Sequence, residues 1–488
     1  MRNLFPLQSN WLAFLLYGGL IACGIWQHEP WRDEMQAWML VADGGTSLGE
    51  ILHTVRYEGH PAVWYLILYA CQQFTDGIWL PQLVHALLIA TAAWLWLRNG
   101  PGPNWFRIGS LFGYFFLYEY AVLFRNYAIG ILLLFWIGSW MKEKGWLGLC
   151  VPFLLLFHTN IFVWLIGLVF WMAMLWWKKG DRKPSFWLAN VLVIASAGLA
   201  IWDMLPPADY GFASPWMFYP GRIGVGLASV WKVFVPMPMP GLHSWNHNLL
   251  DSVGIWPQAI GGLLILLLCT WSLARSWRAQ CFFLATTAAL LLFFMLKYEG
   301  FLRHQGHLFI VYLLSLWVGE KWPGGLGYFD KKASLQNLWL ILVLLLQISG
   351  GLWAWAQDVR YPFSQAGNLA KELKRAIYDD VLIIADPDFA CSPAAGLSGR
   401  TFYYPTPNRN GSYVIWDQKQ RSDLYPDKEL QRLLDRLRRD EQPFILLRNT
   451  AIPVDSLTNW HLQMHQHFSP AIQVDETYWL YQATTRDK

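Results

Sequence analysis

The chain has 488 residues, of which 55% are hydrophobic and only 14% charged, with 32 Trp and a net charge of +4. Soluble domains average about 25% charged residues, so this composition excludes an ordinary water-soluble protein. So small a net charge supplies no electrostatic footprint for nucleic acid. The six Cys lie mostly inside apolar runs and read as small buried hydrophobes rather than a disulfide framework.

The first apolar run, 11–26, has no small-residue cleavage site behind it and reads as an anchoring helix. Further runs follow at 80–97, 146–157, 161–177, 186–202, 255–273, 281–296, 308–318 and 338–355. Several reach the roughly 20 residues a helix needs to cross the hydrocarbon core. The expected fold class is mostly α, a polytopic helical membrane protein. Lys and Arg gather in short loops: Arg2, Arg98, Arg107, Lys142, Lys144, Lys178 to Lys183, Arg275, Arg278, Lys321, Lys331 and Lys332. The positive-inside rule places these loops in the cytoplasm. Crossings near 9–27, 79–98, 107–121, 126–141, 146–158, 160–177, 185–205, 254–274, 280–297, 302–319 and 335–356 satisfy all of them. That arrangement has eleven crossings, with the N-terminus inside. Residues 63–73 are short and read as a re-entrant or interfacial helix; a true crossing there would give twelve.

Nearly half of all charged residues lie beyond Gln357. The chain thus divides into a membrane module at 1–356, with outer loops 28–62 and 206–253, and a soluble α/β domain at 357–488. In that domain "SQAGNLAKELKRAIYDD" and "DKELQRLLDRLRRDE" read as helices, while "VLIIADPDF", "PFILLRNT" and "AIQVDETYWLYQATT" read as strands. Asp386 and Asp388 close the first strand and read as a plain turn or a binding pair.

The outer side collects polar groups that are costly near a membrane. Asp33 and Glu34 read either as N-terminal acids of a helix starting near Met35 or as an interfacial general base with a neighbour. Adjacent helical residues point about 100° apart, so one acid faces the site and the other holds something else. Arg125, in "FRNY", either pairs with a local acid such as Glu119 or offers a bidentate fork to phosphate. Arg303, His304 and His307 cluster at the start of a late helix, with Arg303 and His307 at i and i+4, and suit an anion. Two histidines are too few for a metal site. His53, His60, His158, His243 and His247 read singly as surface histidines. No Walker, GxGxxG, HExxH or GxSxG motif occurs in a usable context.

An N-terminal crossing, an acidic pair in "WRDEMQAWML", then "YEGHPAVWYLIL", "VLFRNYAIGILLL" and "FLRHQGHLFIVYLL" resemble the membrane GT-C glycosyltransferases. Within them, the order over roughly residues 10 to 320 is similar to the family of protein O-mannosyltransferases and bacterial lipid A aminoarabinose transferases. The resemblance implies a polyprenyl-phosphate or polyprenyl-diphosphate sugar donor and a hydroxyl acceptor on a lipid, glycan or protein. It also implies an inner-membrane enzyme with its site and C-terminal domain on the outer face, and Asp33 as the catalytic carboxylate. Inverting attack then leaves a lipid phosphate, for which Arg125, Arg303 and His304 are the candidate binders. Glu34 stands beside the base, and His60, Tyr127 and His307 are the candidate substrate contacts. The outer loop at 118–127 has Glu119 but no DxD, so a divalent metal is not favoured and no cofactor is expected. His60 stands where the lipid A transferases place a lysine near the helix opening, which argues against an aminoarabinose donor. The competing function is a lipid or glycan transporter, for which internal repeats are expected; none is found.

Overall fold

The computed structural model describes residues 5–178, 183–212, 216–323, 334–420, 424–439, 442–453, 457 and 459–485. Arg2, Lys179, Arg182, Lys331 and Lys332 lie outside the described residues. The chain begins with α1 (Phe5–Gln27), followed by α2 (Arg32–Asp43), α3 (Leu48–Val55), a tight turn at Arg56–Glu58 and α4 (Val63–Gln72). Next come α5 (Trp79–Asn99), α6 (Asn104–Leu111), α7 (Tyr127–Trp140), α8 (Trp146–Phe157), α9 (Ile161–Trp177) and α10 (Pro184–Met204). A long loop leads to α11 (Gly221–Phe234), α12 (Ile255–Ser272) and α13 (Trp277–Leu296). α14 (Leu302–Gln305), α15 (His307–Lys321) and α16 (Ser334–Arg360) close the helical body.

Among the described residues, six helices are long and apolar enough to cross a membrane: α1, α5, α10, α12, α13 and α16. Their outward faces carry exposed Trp11, Leu12, Leu15, Trp187, Val191, Ile194, Leu263 and Leu267, a surface suited to lipid rather than water. The other expected crossings differ. Residues 107–121 are not one helix, because α6 stops at Leu111 and a wide turn occupies Phe115–Glu119. That break lets α16 come close: a Cβ on Gly351 would lie 2.8 Å from the Tyr114 nitrogen. α7, α8, α9 and α15 are continuous but have 14, 12, 17 and 15 residues. They fall short of the roughly 20 residues of an upright span. α4 has only 10 residues, roughly 15 Å at the helical rise, which is half a hydrocarbon core.

The expected boundary at Gln357 falls inside α16, which continues to Arg360, with Asp358 buried against His28 (2.8 Å). The C-terminal domain then contains α17 (Ala366–Leu373), β1 (Leu382–Asp386), α18 (Asp388–Ser398), β2 (Phe402–Tyr404) and β3 (Arg409–Gly411). α19 (Asp427–Arg439), β4 (Phe444–Arg448), β5 (Trp460–Phe468) and β6 (Tyr478–Thr485) complete it. The sheet order is β3-β2-β1-β4-β6-β5, with β1 parallel to β2 and β4 and the outer pairs antiparallel. Strand alternation splits the core in two. Ile383 and Ala385 face α17 and α18, whereas Ile384 faces Leu430, Leu433 and Leu434 of α19.

Candidate active site

α2 begins where a carboxylate can satisfy free helix N–H groups. Glu34 accepts from the Trp31 nitrogen (3.1 Å), from the Phe124 nitrogen (2.5 Å) and from His28 Nε2 (3.0 Å). The other His28 nitrogen meets Asp358 (2.8 Å). With a carboxylate oxygen at each ring nitrogen, both must donate, which makes the ring an imidazolium. Burial alone would push His28 down, but the Asp358 and Glu34 charges outweigh it and hold its pKa well above the usual value. Glu34 is fully buried. Glu34, expected beside the base, has its oxygens spent joining α1, α2, the 124 turn and, through His28, α16.

Asp33 points elsewhere, as neighbours on a helix must. Its Oδ2 lies 2.9 Å from Arg303 Nη2 and 3.7 Å from Arg125 Nη2. Arg125 Nη1 also donates to the Asp33 carbonyl oxygen. The Asp33 side chain keeps 26% of its surface exposed, against 12% for Arg125 and 9% for Arg303. The carboxylate is thus the open member of a cluster whose cations are walled in. Burial pushes Asp33 up, yet Arg125, Arg303 and Arg32 outweigh it and hold its pKa below the usual carboxylate range. Arg303 is boxed by aromatic rings, with its guanidinium 5.1 Å from Trp31, 5.5 Å from Trp245 and 4.7 Å from Phe301.

Glu119 is not the partner of Arg125. It is buried, accepting from Tyr114 Oη (2.9 Å) and Trp245 Nε1 (3.1 Å). The late cluster is also split. Gly306, between α14 and α15, lets Phe115 and Tyr120 come close: a Cβ there would lie 2.2 Å from Phe115 Cε1 and 2.5 Å from Tyr120 Oη. Arg303 and His307 thus fall in separate helices, α14 and α15, and their side chains meet different neighbours. Arg303 reaches Asp33, while the His307 ring packs against Phe162 (5.3 Å), Tyr120 (5.7 Å) and Tyr127 (5.7 Å). His304 Nδ1 accepts from the Phe301 nitrogen (2.9 Å), capping α14, so that nitrogen is not free for an anion.

Several buried polar atoms have no hydrogen-bond partner among the described residues: His60 Nδ1, Tyr127 Oη, His307 Nε2 and Arg303 Nε. His307 Nδ1 donates to the His304 carbonyl (2.8 Å), which leaves Nε2 as an acceptor. His60 follows the left-handed Gly59 (φ 64°). Burial, aided by Arg125, pushes His60 down to about 4, so its ring is neutral. Its unpaired nitrogen lies within the field of Arg125, Asp33 and Arg303. Buried polar atoms are normally paired, and an unpaired set beside an open charge cluster suits a polar ligand. No group of three His, Cys, Asp or Glu among the described residues is arranged to hold a metal ion.

The sequence reading did not single out Gln36, Glu58 or Trp245. Gln36 donates to Glu58 Oε1 (2.8 Å) and to the Val414 carbonyl (2.7 Å), and accepts from the Val414 nitrogen (2.8 Å). The C-terminal domain thus touches the helix that carries Asp33. Arg32 adds its nitrogen on Glu476 (3.0 Å) and its guanidinium on Asp475 (3.2 Å), and Asp43 accepts from Ser412. A signal for Glu58 did exist in "RYEGHP", where an acid precedes a Gly-His-Pro turn. No protein-family model matches this chain, and no curated protein matches it.

Proposed function

We propose that the chain is a GT-C-like membrane glycosyltransferase that moves a sugar from a polyprenyl-phosphate donor to a hydroxyl acceptor. In this reading the helical body crosses the membrane eleven or twelve times, and the site and C-terminal domain share the outer face. One observation carries it: an open carboxylate held between two walled-in guanidinium groups, bordered by unpaired His60, Tyr127 and His307 atoms.

Arg125 and Arg303 present planar forks suited to a phosphate. They already hold an anion, Asp33, so the donor phosphate enters by exchanging with that carboxylate. The acceptor oxygen attacks the anomeric carbon from the face opposite the phosphate and inverts it. The bond to the phosphate oxygen breaks with its electron pair, and the fixed cations stabilise the charge that develops. A phosphate leaves without a general acid. A carboxylate must take the acceptor proton, and Asp33 is the candidate that the resemblance nominates. His60, Tyr127 and His307 supply neutral hydrogen-bonding groups for the sugar hydroxyls.

The test is transfer of label from radiolabelled polyprenyl-phosphate sugars by the full chain in proteoliposomes. The expected result is bond cleavage by the wild type and a loss of about 10²–10⁴-fold in Asp33→Asn. Movement of intact labelled lipid across the bilayer, with no cleavage, would replace this reading with transport.

A further inference from the structure

In the loop between α10 and α11, four consecutive large apolar residues, Trp216, Met217, Phe218 and Tyr219, each keep between 47% and 64% of their surface exposed. Such a run is costly against water, and it is not a loose strand. The Met217 nitrogen donates to the Leu296 carbonyl at the end of α13 (3.0 Å). Arg222 of α11 donates to the Met217 and Met295 carbonyls (3.3 and 3.2 Å). It also lies 3.6 Å from Glu299, to which Tyr219 Oη donates (3.4 Å). The Trp216 ring packs on Phe293 (6.1 Å) and carries the Lys297 ammonium above it (5.7 Å). The backbone is thus clamped to the end of α13, while the four side chains stay largely uncovered by the described residues.

We propose that segment 216–219 is an interfacial anchor whose side chains insert into the outer leaflet of the bilayer. This rests on the membrane-crossing part of the reading above, and not on the transfer chemistry. Continuity favours lipid as the occupant. The segment meets the end of α13, where Leu292 is exposed, and α11 starts against the start of α12. There a Cβ on Gly224 would lie 3.6 Å from Trp256, which is exposed together with Ile260. The patch therefore extends the lipid-suited faces of two crossing helices at the end they share. Its chemistry fits the same place, because Trp and Tyr have an apolar body with a polar tip and gather at membrane interfaces. Lys297 and Arg222 lie over the Trp216 and Tyr219 rings (5.7 and 4.8 Å), which keeps their charges at headgroup level with their stems on apolar surface. The anchor is also joined to the site. Gln305 Nε2 donates to the Glu299 and Gly300 carbonyls (3.1 and 3.3 Å), so the segment that carries Arg303 is the one Arg222 ties to the anchor.

The experiment places nitroxide labels on the full chain in vesicles of phosphatidylethanolamine and phosphatidylglycerol. The background carries Cys23→Ala and Cys281→Ala, which removes the exposed thiols. Labels go singly on Phe218→Cys, on Leu267→Cys of α12 and on Met464→Cys of β5, all three exposed positions. Relaxation by oxygen, which concentrates in lipid, is compared with relaxation by a water-soluble nickel chelate. The label at 218 should favour oxygen and report a depth just inside the headgroups. The label at 267 should report the hydrocarbon core, and the label at 464 should favour the chelate. Lipid at 267 with water at 218 overturns the anchor alone. Water at 267 overturns the membrane reading, and the anchor falls with it. Dipolar broadening between 218 labels that disappears on dilution with unlabelled chain assigns the patch to a second copy and overturns the anchor too. If Phe218→Cys does not fold, Met217→Cys takes its place and is read in the same way.

Discussion

At the scale of single residues, the adjacent acids of α2 divide their labour through geometry. Glu34 turns inward and completes a buried His28–Asp358 network, whereas Asp33 turns toward Arg125 and Arg303. Removing one member of a buried charged set leaves the others uncompensated, at about 3–5 kcal/mol. His28→Ala should therefore lower the thermal unfolding midpoint sharply, and adding Glu34→Gln should recover part of the loss; an unchanged midpoint in His28→Ala would refute the network's role. Arg303 makes a different prediction. Its planar fork lies among Trp31, Trp245 and Phe301, and a lysine reproduces neither the fork nor the stacking. Arg303→Lys should weaken binding of the labelled donor by about 10-fold, corresponding to roughly 1.4 kcal/mol. Equal affinity in the two proteins would remove Arg303 from the phosphate site.

At the scale of elements, the long apolar helices are legible in the sequence because a lipid-facing helix must be apolar over its whole length. Asp33, Arg125 and Arg303 are legible too, since charges are scarce in this composition. What separates them from their neighbours is not. What the side chains of "RHQGH" meet depends on the close approach of Phe115 and Tyr120 at Gly306, and both lie far away in the sequence. Helical spacing therefore pairs Arg303 with His307, while the fold pairs it with Asp33. In the C-terminal domain, "DFACSPAAGLS" hides α18 behind Pro393 and two small-residue breaks, although Gly396 is what lets α18 approach Met35 and Met39 of α2. Gly306→Ala tests the first of these arrangements. A methyl group there must displace the Phe115 ring and the Tyr120 hydroxyl that donates to the Arg303 carbonyl (2.7 Å). Overpacking of this kind costs about 1–3 kcal/mol, so unfolding should move to lower temperature and donor affinity should fall with it. Wild-type values for both would show that the close packing at Gly306 does not position Arg303.

At the scale of the whole molecule, the C-terminal domain is joined to the helical body through α2, and that joint contains a titrating group. Glu476 is fully buried and accepts from the Arg32 nitrogen (3.0 Å) and from the Ser364 side chain. Burial outweighs the nearby Arg32 charge and pushes the Glu476 carboxyl from 4.5 to about 7. A carboxyl raised by burial favours the folded, docked state while it stays protonated. Its contribution is complete below about pH 4.5 and is lost as pH rises through about 7. A displacement of that size corresponds to about 3 kcal/mol. Asp33, held low, acts in the opposite direction, but its contribution is lost only under strongly acid conditions. Between mildly acid and mildly alkaline pH the domain joint should therefore loosen. Hydrogen exchange at α2 and along β6 reads this directly, with protection falling as pH rises once intrinsic exchange rates are corrected for. Glu476→Gln keeps the acceptor for the Arg32 nitrogen but cannot ionise, so it should flatten the profile and retain protection at alkaline pH. Protection that instead grows with pH in the wild type would mean that Glu476 is ionised in the docked joint and that the Arg32 charge governs it.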